Sequence, residues 1–253
     1  MSAEREGDLR EDGRTVARLR PVRIRRGVLR HAEGSAWIGL GGTQVLCAVT
    51  VEDRVPPWLR GRGHGWITAE YGMLPRSVPE RVARGRTSGR TFEIQRLIGR
   101  SLRAAVDLSL LGDRTWTIDC DVLEADGGTR VASITGGWVA LADAVESLLA
   151  SGKIARSPIR SRVAAVSVGI VGGRRMLDLD HHEDSAAQVD LNVVATSDGR
   201  LVEIQGAAEG DPFEESEIRP MLRLSRAGLS RMFRAQERAL ALPPRTARPL
   251  LST

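Results

Sequence analysis

The sequence predicts an α+β fold on three observations. Runs of alternating apolar and polar residues indicate strands, and runs with apolar residues three or four apart indicate helices. These runs follow the order strands, helix, strand, helix, strands, helix, which is typical of an α+β sandwich. At 253 residues the chain can bury a full core, and no linker divides it. We therefore expect a single domain over 1–253, with loose tails at about 1–12 and 241–253.

The elements of the first half follow from pattern and turn residues. Ser35–Val51 predicts two strands joined at Gly41-Gly42-Thr43, a hairpin signal. Residues 52–90 are rich in Gly, Pro and Arg and are expected to be irregular. Apolar residues recur at helical spacing over Phe92–Leu110, which predicts a helix, and Thr115–Leu123 alternates as a strand does.

The second half begins with a predicted helix marked by apolar residues from Ile134 to Leu148. Two hairpins are expected next, each pair of strands being joined at a turn that contains glycine. A helix over about Ser216–Leu240 closes the predicted order. The four predicted hairpin strands are Val163–Val171, Arg174–Asp180, Gln188–Thr196 and Arg200–Gly206.

Basic residues are numerous and almost all of them are Arg. Lys and Arg number 37, the net charge is +5, the pI is about 10.3, and Lys153 is the only Lys. Arg binds phosphate in a bidentate manner and stays charged, so the bias favours a polyanionic partner. A GC-rich codon supply also favours Arg and explains the same bias without any functional partner, and both explanations remain open.

The remaining composition argues against a secreted or membrane protein. Cys47 and Cys120 lie in apolar strand-like runs and are expected to be small buried hydrophobes, not a disulfide. No apolar run has the length that spans a bilayer, and the charged N-terminus lacks the apolar core of a signal peptide. We expect a cytoplasmic location and no membrane partner.

The segment Gly127-Gly128-Thr129-Arg130 is the first candidate site. It joins a predicted strand to a helix, and backbone N–H groups at a helix start form an anion site together with a neighbouring Arg. A P-loop is excluded, because the Lys-Ser/Thr pair that it requires does not follow these glycines at the necessary spacing. The alternative is an ordinary turn with an Arg on the surface.

A second Arg follows a glycine at a helix start in Ser88-Gly89-Arg90-Thr91. Two such arrangements in one chain can converge on a single phosphate. The alternative is that Thr91 caps the helix and Arg90 is solvated.

Acidic residues cluster after a predicted strand. Asp178 and Asp180 are two residues apart and would share one strand face, and Asp184 could return beside them after a turn. Carboxylate clusters suit Mg²⁺ or Mn²⁺. The alternative is a plain acidic turn. The adjacent His181 and His182 would point apart on a strand, which disfavours zinc.

The long basic loop carries Arg76, Arg81, Arg84 and Arg86, which could contact an RNA backbone. A solvated run of charge is the alternative.

Taken together, these motifs resemble the bacterial ribonuclease PH family. The resemblance follows the family's order over nearly the whole chain up to the last helix. It is carried by EDGR at Glu11–Arg14, VEDRVPP at Val51–Pro57, GWITAEYGMLPR at Gly65–Arg76, SGRTFEIQRLIGRSLRA at Ser88–Ala104, IDCDVLEADGGTRVASITG at Ile118–Gly136, the LDL and ED groups within Leu177–Asp184, and VEIQGAAEG at Val202–Gly210.

The resemblance implies two β-α-β-type halves, like the second domain of ribosomal protein S5, and a homo-hexamer built as a trimer of dimers. It also implies a phosphate-dependent 3′→5′ exoribonuclease, a phosphorolytic tRNA nucleotidyltransferase that trims tRNA precursors and other RNA 3′ ends, including rRNA. Inorganic phosphate would be the co-substrate, nucleoside diphosphates the products, and nucleotide addition the reverse reaction.

The resemblance also implies roles for particular residues. Arg90, Gly128, Thr129 and Arg130 would bind the attacking phosphate. Asp178 and Asp184 would hold Mg²⁺ or Mn²⁺, and Asp184 would act either as the general acid or only as a metal ligand. Two rival functions are a ring subunit that binds RNA without catalysis and a hydrolytic nuclease that uses two metals.

Overall fold

A computed structural model describes residues 9–84 and 88–244. The first half contains β1 (Val22–Arg26), β2 (Gly34–Leu40), β3 (Thr43–Glu52), β4 (Trp66–Met73), α1 (Gly89–Arg103), β5 (Thr115–Glu124) and α2 (Thr129–Ala150). The second half contains β6 (Val163–Val171), β7 (Arg174–Leu177), α3 (His181–Ser185), β8 (Val189–Thr196), β9 (Leu201–Ala208) and α4 (Glu215–Ala241).

The strands form two sheets, and the predicted α+β class is confirmed. The first sheet has the order β1-β2-β3-β5-β4, and its β4 strand runs parallel to β5 while the other neighbours are antiparallel. The second sheet has the order β7-β6-β8-β9 and is antiparallel throughout. The three hairpins predicted from their turn residues are therefore present, as β2-β3, β6-β7 and β8-β9.

Helix α2 lies between the two sheets, where it packs on β2 and β3 of one and on β6 of the other. Its sequence is apolar around the whole circumference, which is typical of a buried helix. Gly136 lets it approach the first sheet closely, since a Cβ atom there would lie 2.7 Å from Ile38 Cγ2. One continuous core thus joins both sheets. The division into one or two domains stays a prediction.

Some parts of the sequence prediction were wrong, including the helix expected over Phe92–Leu110, which ends at Arg103. Residues 52–90 were expected to be irregular, yet β4 lies within them, because its Ile67, Ala69 and Tyr71 alternate inward beside β5. The strand predicted over Arg174–Asp180 ends at Leu177, and the short helix α3 begins three residues after Asp178.

The N-terminal segment is ordered further toward its start than expected. The predicted loose tail included Arg10, but Arg10 is buried and donates to the carbonyls of Leu177 and Asp178 at 2.7 and 2.9 Å. Its guanidinium also binds the carboxylate of Glu183. In the part of the chain that the structure describes, no helix is both long enough and apolar enough to span a membrane.

Candidate active site

A cavity of about 850 Å³ opens where the two halves of the chain meet. It lies at the ends of β4 and β5, beside the first turns of α1 and α2 and next to the segment that links β7 to β8. Six residues with polar side chains that line it are central to its chemistry: Tyr71, Arg90, Thr129, Arg130, Asp184 and Asp190.

The first turn of α2 forms one wall of the cavity. Gly127 and Gly128 precede it with φ angles of 70° and 68°, in the left-handed region that favours glycine. The first backbone N–H groups of a helix have no partner within the helix, and here no side chain caps them. Tyr71 OH donates to Thr129 Oγ1 at 2.9 Å and fixes the threonine. This wall can accept an anion.

Two arginines flank the same phenol. Burial raises the pKa of Tyr71, while its hydrogen bond to Thr129 and the charges of Arg90 and Arg130 act in the opposite direction. Arg90 and Arg130 line the same cavity as Tyr71, as expected if the two helix starts converge on one phosphate. Gln205 orients Arg130, since Arg130 Nη1 donates to Gln205 Oε1 at 3.2 Å. Arg90 is exposed in the first turn of α1.

Two carboxylates on the second half face this basic wall. Burial, helped by the nearby charge of Asp184, raises the pKa of Asp190 to about 6, although the charge of Arg130 acts in the opposite direction. Asn192 Nδ2 donates to Asp190 Oδ2 at 3.3 Å. Among the described residues, none hydrogen-bonds the buried Asp190 Oδ1. Asp190 thus presents an unpaired oxygen and an unfavourable charge, and a cation would relieve both.

The structure places Asp178 away from the other residues for which a metal or catalytic role was predicted. Its side chain is 1% exposed and does not line the cavity. Arg20 donates to both of its carboxylate oxygens at 2.7 Å, through its backbone N and its Nη2, and Arg14 donates at 3.2 Å. Asp178 also has a φ of 58°, so it turns the chain after β7 instead of extending the strand. Its oxygens are occupied by arginines.

Asp184 and Asp190 are therefore the carboxylates that fit a divalent ion. Among residues 9–84 and 88–244, no group of three or more His, Cys, Asp or Glu side chains is placed to hold a metal. A pair is nevertheless compatible with Mg²⁺, which commonly uses one or two carboxylates together with substrate phosphates and water. The unpaired oxygen of Asp190 meets this requirement.

The basic loop contributes unevenly to the cavity. Arg84 lines it, whereas Arg76 and Arg81 are exposed outside the lining, and Arg86 lies outside the described residues. Apolar loop residues such as Val78 and Val82 form the adjacent wall. The RNA-binding role of these arginines stays a prediction.

Sequence reasoning missed Asp190 and Tyr71. A usable signal existed for Asp190, because a charged residue near the start of the apolar strand VDLNVVAT has no reason to be there for packing alone. Tyr71 lay within a segment that was predicted to be irregular, and such a segment does not predict which side chains point toward the core.

Fold and cavity together describe a two-sheet α+β protein with an anion-binding wall opposite paired carboxylates. Two family models match the sequence, and both describe a 3′ exoribonuclease family. Domain 1 of the family matches residues 18–145, and domain 2 matches residues 161–228. The chain belongs to this 3′ exoribonuclease family.

Solved structures share the fold. Rrp46 from rice (Oryza sativa) superposes with a TM-score of 0.77 at 21% identity, over 92% of this chain and all of that one. A chain of the Archaeoglobus fulgidus exosome with RNA bound to its active site gives 0.77 at 24%, over 90% and 92%. A chain of an archaeal exosome core gives 0.72 at 26%, over 92% of each.

Proposed function

We propose that this chain is a phosphate-dependent 3′→5′ exoribonuclease of the bacterial ribonuclease PH type. One observation carries the proposal: Arg90, Arg130 and the start of α2 open into the same cavity as Asp184 and Asp190. A hydrolytic nuclease has no need of an anion-binding wall beside its carboxylates. Membership of a 3′ exoribonuclease family supplies the substrate class.

The reaction brings two anions together. An oxygen of hydrogen phosphate bonds to the phosphorus of the last RNA linkage, and the bond from that phosphorus to the 3′ oxygen of the preceding nucleotide breaks. The products are a nucleoside diphosphate and an RNA shortened by one nucleotide, whose new 3′ hydroxyl carries the proton that phosphate loses. The site must therefore supply positive charge and oriented donors.

This chain's residues divide that work. Arg90, Arg130 and the N–H groups of Gly128-Thr129-Arg130 hold the attacking phosphate, and Tyr71 keeps Thr129 in place. Asp184 and Asp190 would hold Mg²⁺ or Mn²⁺, which when bound neutralises charge on the linkage and on the departing oxygen. Of the two roles open for Asp184, metal ligation is favoured over proton donation, because a bound divalent cation would keep the carboxylate ionised.

The biological assignment rests on the sequence resemblance. It proposes tRNA precursors as the usual substrate and rRNA 3′ ends as others, with Arg76, Arg81 and Arg84 contacting the RNA beyond its last nucleotide. It also proposes a homo-hexamer in the cytoplasm, with nucleotide addition as the reverse reaction.

A product assay tests the proposal and its two rivals. The protein is incubated with Mg²⁺ and a tRNA bearing a 3′ extension, with or without phosphate. Nucleoside diphosphates that form only with phosphate support the proposal. Monophosphates would indicate a hydrolytic nuclease, and RNA binding without product would indicate a noncatalytic ring subunit.

A further inference from the structure

Arg20 is a buried cation that the proposed chemistry does not use. Its side chain is 5% exposed, in the segment just before β1. On one side it holds Asp178: its backbone N and Nε donate to Oδ2 at 2.7 and 3.1 Å, and its Nη2 donates to Oδ1 at 2.7 Å. The same Nη2 lies 3.2 Å from the carbonyl of Leu179. These contacts fix the start of the segment that carries Asp184.

The other side of the same guanidinium holds the segment before α2. Nη1 donates to the carbonyl oxygen of Asp126 and lies 3.3 Å from its Oδ2. Nη2 lies 3.4 Å from the carbonyl of Gly127. The Arg20 guanidinium also lies close to the backbone of Gly128, since a Cβ atom on that glycine would lie 3.2 Å from Nη2. One side chain therefore joins the phosphate-binding wall, which residues 127–130 form, to the acidic segment, which comprises residues 178–184.

The electrostatics fit such a link. Burial would lower the pKa of Arg20, but the hydrogen bonds and charge of Asp178, helped by Asp126 and Asp180, outweigh it and raise the pKa. A planar guanidinium can donate in several directions in one plane, which an ammonium cannot reproduce. Lysine at this position would keep the charge near Asp178 and lose the contacts to the other segment.

We propose that Arg20 is a positioning residue that sets the phosphate-binding wall against the carboxylate pair. The inference rests on the proposed function, because it assigns Arg20 to that same site. Arg14 provides a matched comparison. It is also buried and also binds the Asp178 carboxylate, but its contacts lie on the acidic segment and within its own N-terminal segment.

The test compares wild type, Arg20→Lys and Arg14→Lys. Calorimetry measures the dissociation constant of inorganic phosphate, and steady-state kinetics measures KM for phosphate and for RNA separately. Arg20→Lys is expected to weaken phosphate binding by about 10-fold or more, since hydrogen bonds that orient the wall are lost, with KM for RNA within about twofold. Arg14→Lys is expected to leave phosphate affinity within about twofold. Melting temperatures of both variants report folding.

Equal weakening by both variants, or unchanged phosphate affinity in Arg20→Lys, would overturn the inference. If Arg20→Lys does not fold, the double variant Arg20→Gln/Asp178→Asn removes both charges of the buried pair and must show the same selective loss. Phosphate binding that depends on Arg20 without diphosphate release would contradict the proposed function and leave the positioning role standing. A wild-type protein that does not bind phosphate would overturn both.

Discussion

Gly127 and Asp180 bring the backbones of two distant segments into direct contact. A Cβ atom on Gly127 would lie 2.6 Å from the carbonyl carbon of Asp180, and His181 N donates toward Asp126 Oδ1 at 3.4 Å. The phosphate-binding wall and the acidic segment therefore meet without a side chain between them at this point.

Gly127→Ala should separate the two segments. The added methyl group has no room against Asp180, so we expect a loss of activity well beyond any loss of stability, measured as kcat/KM with saturating RNA and varied phosphate. Gly173→Ala is the matched control. Gly173 has a φ of 73°, close to the 70° of Gly127, and a Cβ there meets no described atom within 4 Å. Both variants pay the backbone strain of about 1–2 kcal/mol. Equal activity in the two would argue against the contact.

Arg130→Ala should raise KM for phosphate by about 10- to 100-fold, because a hydrogen bond to a charged group contributes about 1.5–3 kcal/mol. KM for RNA should change little. Arg96→Ala removes the same charge from an exposed position on α1 outside the cavity lining and serves as control. An Arg130→Ala variant that lost RNA affinity alone would show that this arginine binds the RNA backbone instead.

Asp190→Asn should abolish turnover at ordinary Mg²⁺ concentrations, since it removes one of the two carboxylates that fit the ion. RNA binding, measured by fluorescence anisotropy, should persist, and excess Mg²⁺ or Mn²⁺ should restore part of the activity. Asp211→Asn, at an exposed position, controls for loss of one negative charge. Unchanged metal dependence in Asp190→Asn would place the ion elsewhere.

Asp178 should behave differently from Asp190. Asp178→Ala leaves Arg20 and Arg14 buried without this partner and should reduce the free energy of unfolding by about 3–5 kcal/mol, as measured in urea. Asp178→Asn tolerates the left-handed backbone and should be milder. In neither variant should the Mg²⁺ concentration for half-maximal activity shift. A shift in Asp178→Asn without loss of stability would restore the metal-binding role predicted from the sequence.

Much of the fold could be predicted because local pattern and tertiary packing agree. The hairpin at Gly41-Gly42-Thr43 and the helix α4 have periodicity, turn residues and burial that all indicate the same element. Strand β4 was missed because the Gly, Pro and Arg around it dominate the local composition. Its strand character depends on parallel pairing with β5, a contact across more than forty residues that no local pattern contains.

The site was predictable in part for a related reason. Arg90 and Arg130 sit at helix starts, and that position is visible in sequence. Asp178 looked equivalent to Asp184 because both are acidic and close in the chain. Only the path of the chain shows that Asp178 turns inward toward Arg20 while Asp184 lines the cavity together with Asp190.

The central claim is that inorganic phosphate is the nucleophile, and labelled phosphate tests it most directly. Wild-type protein is incubated with unlabelled RNA, Mg²⁺ and ³²P-labelled phosphate, and the nucleotide products are separated. We expect label in the β-position of nucleoside diphosphates, with little incorporation by Arg130→Ala at the same phosphate concentration and none by Asp190→Asn. RNA shortening that yields unlabelled monophosphates would contradict the account.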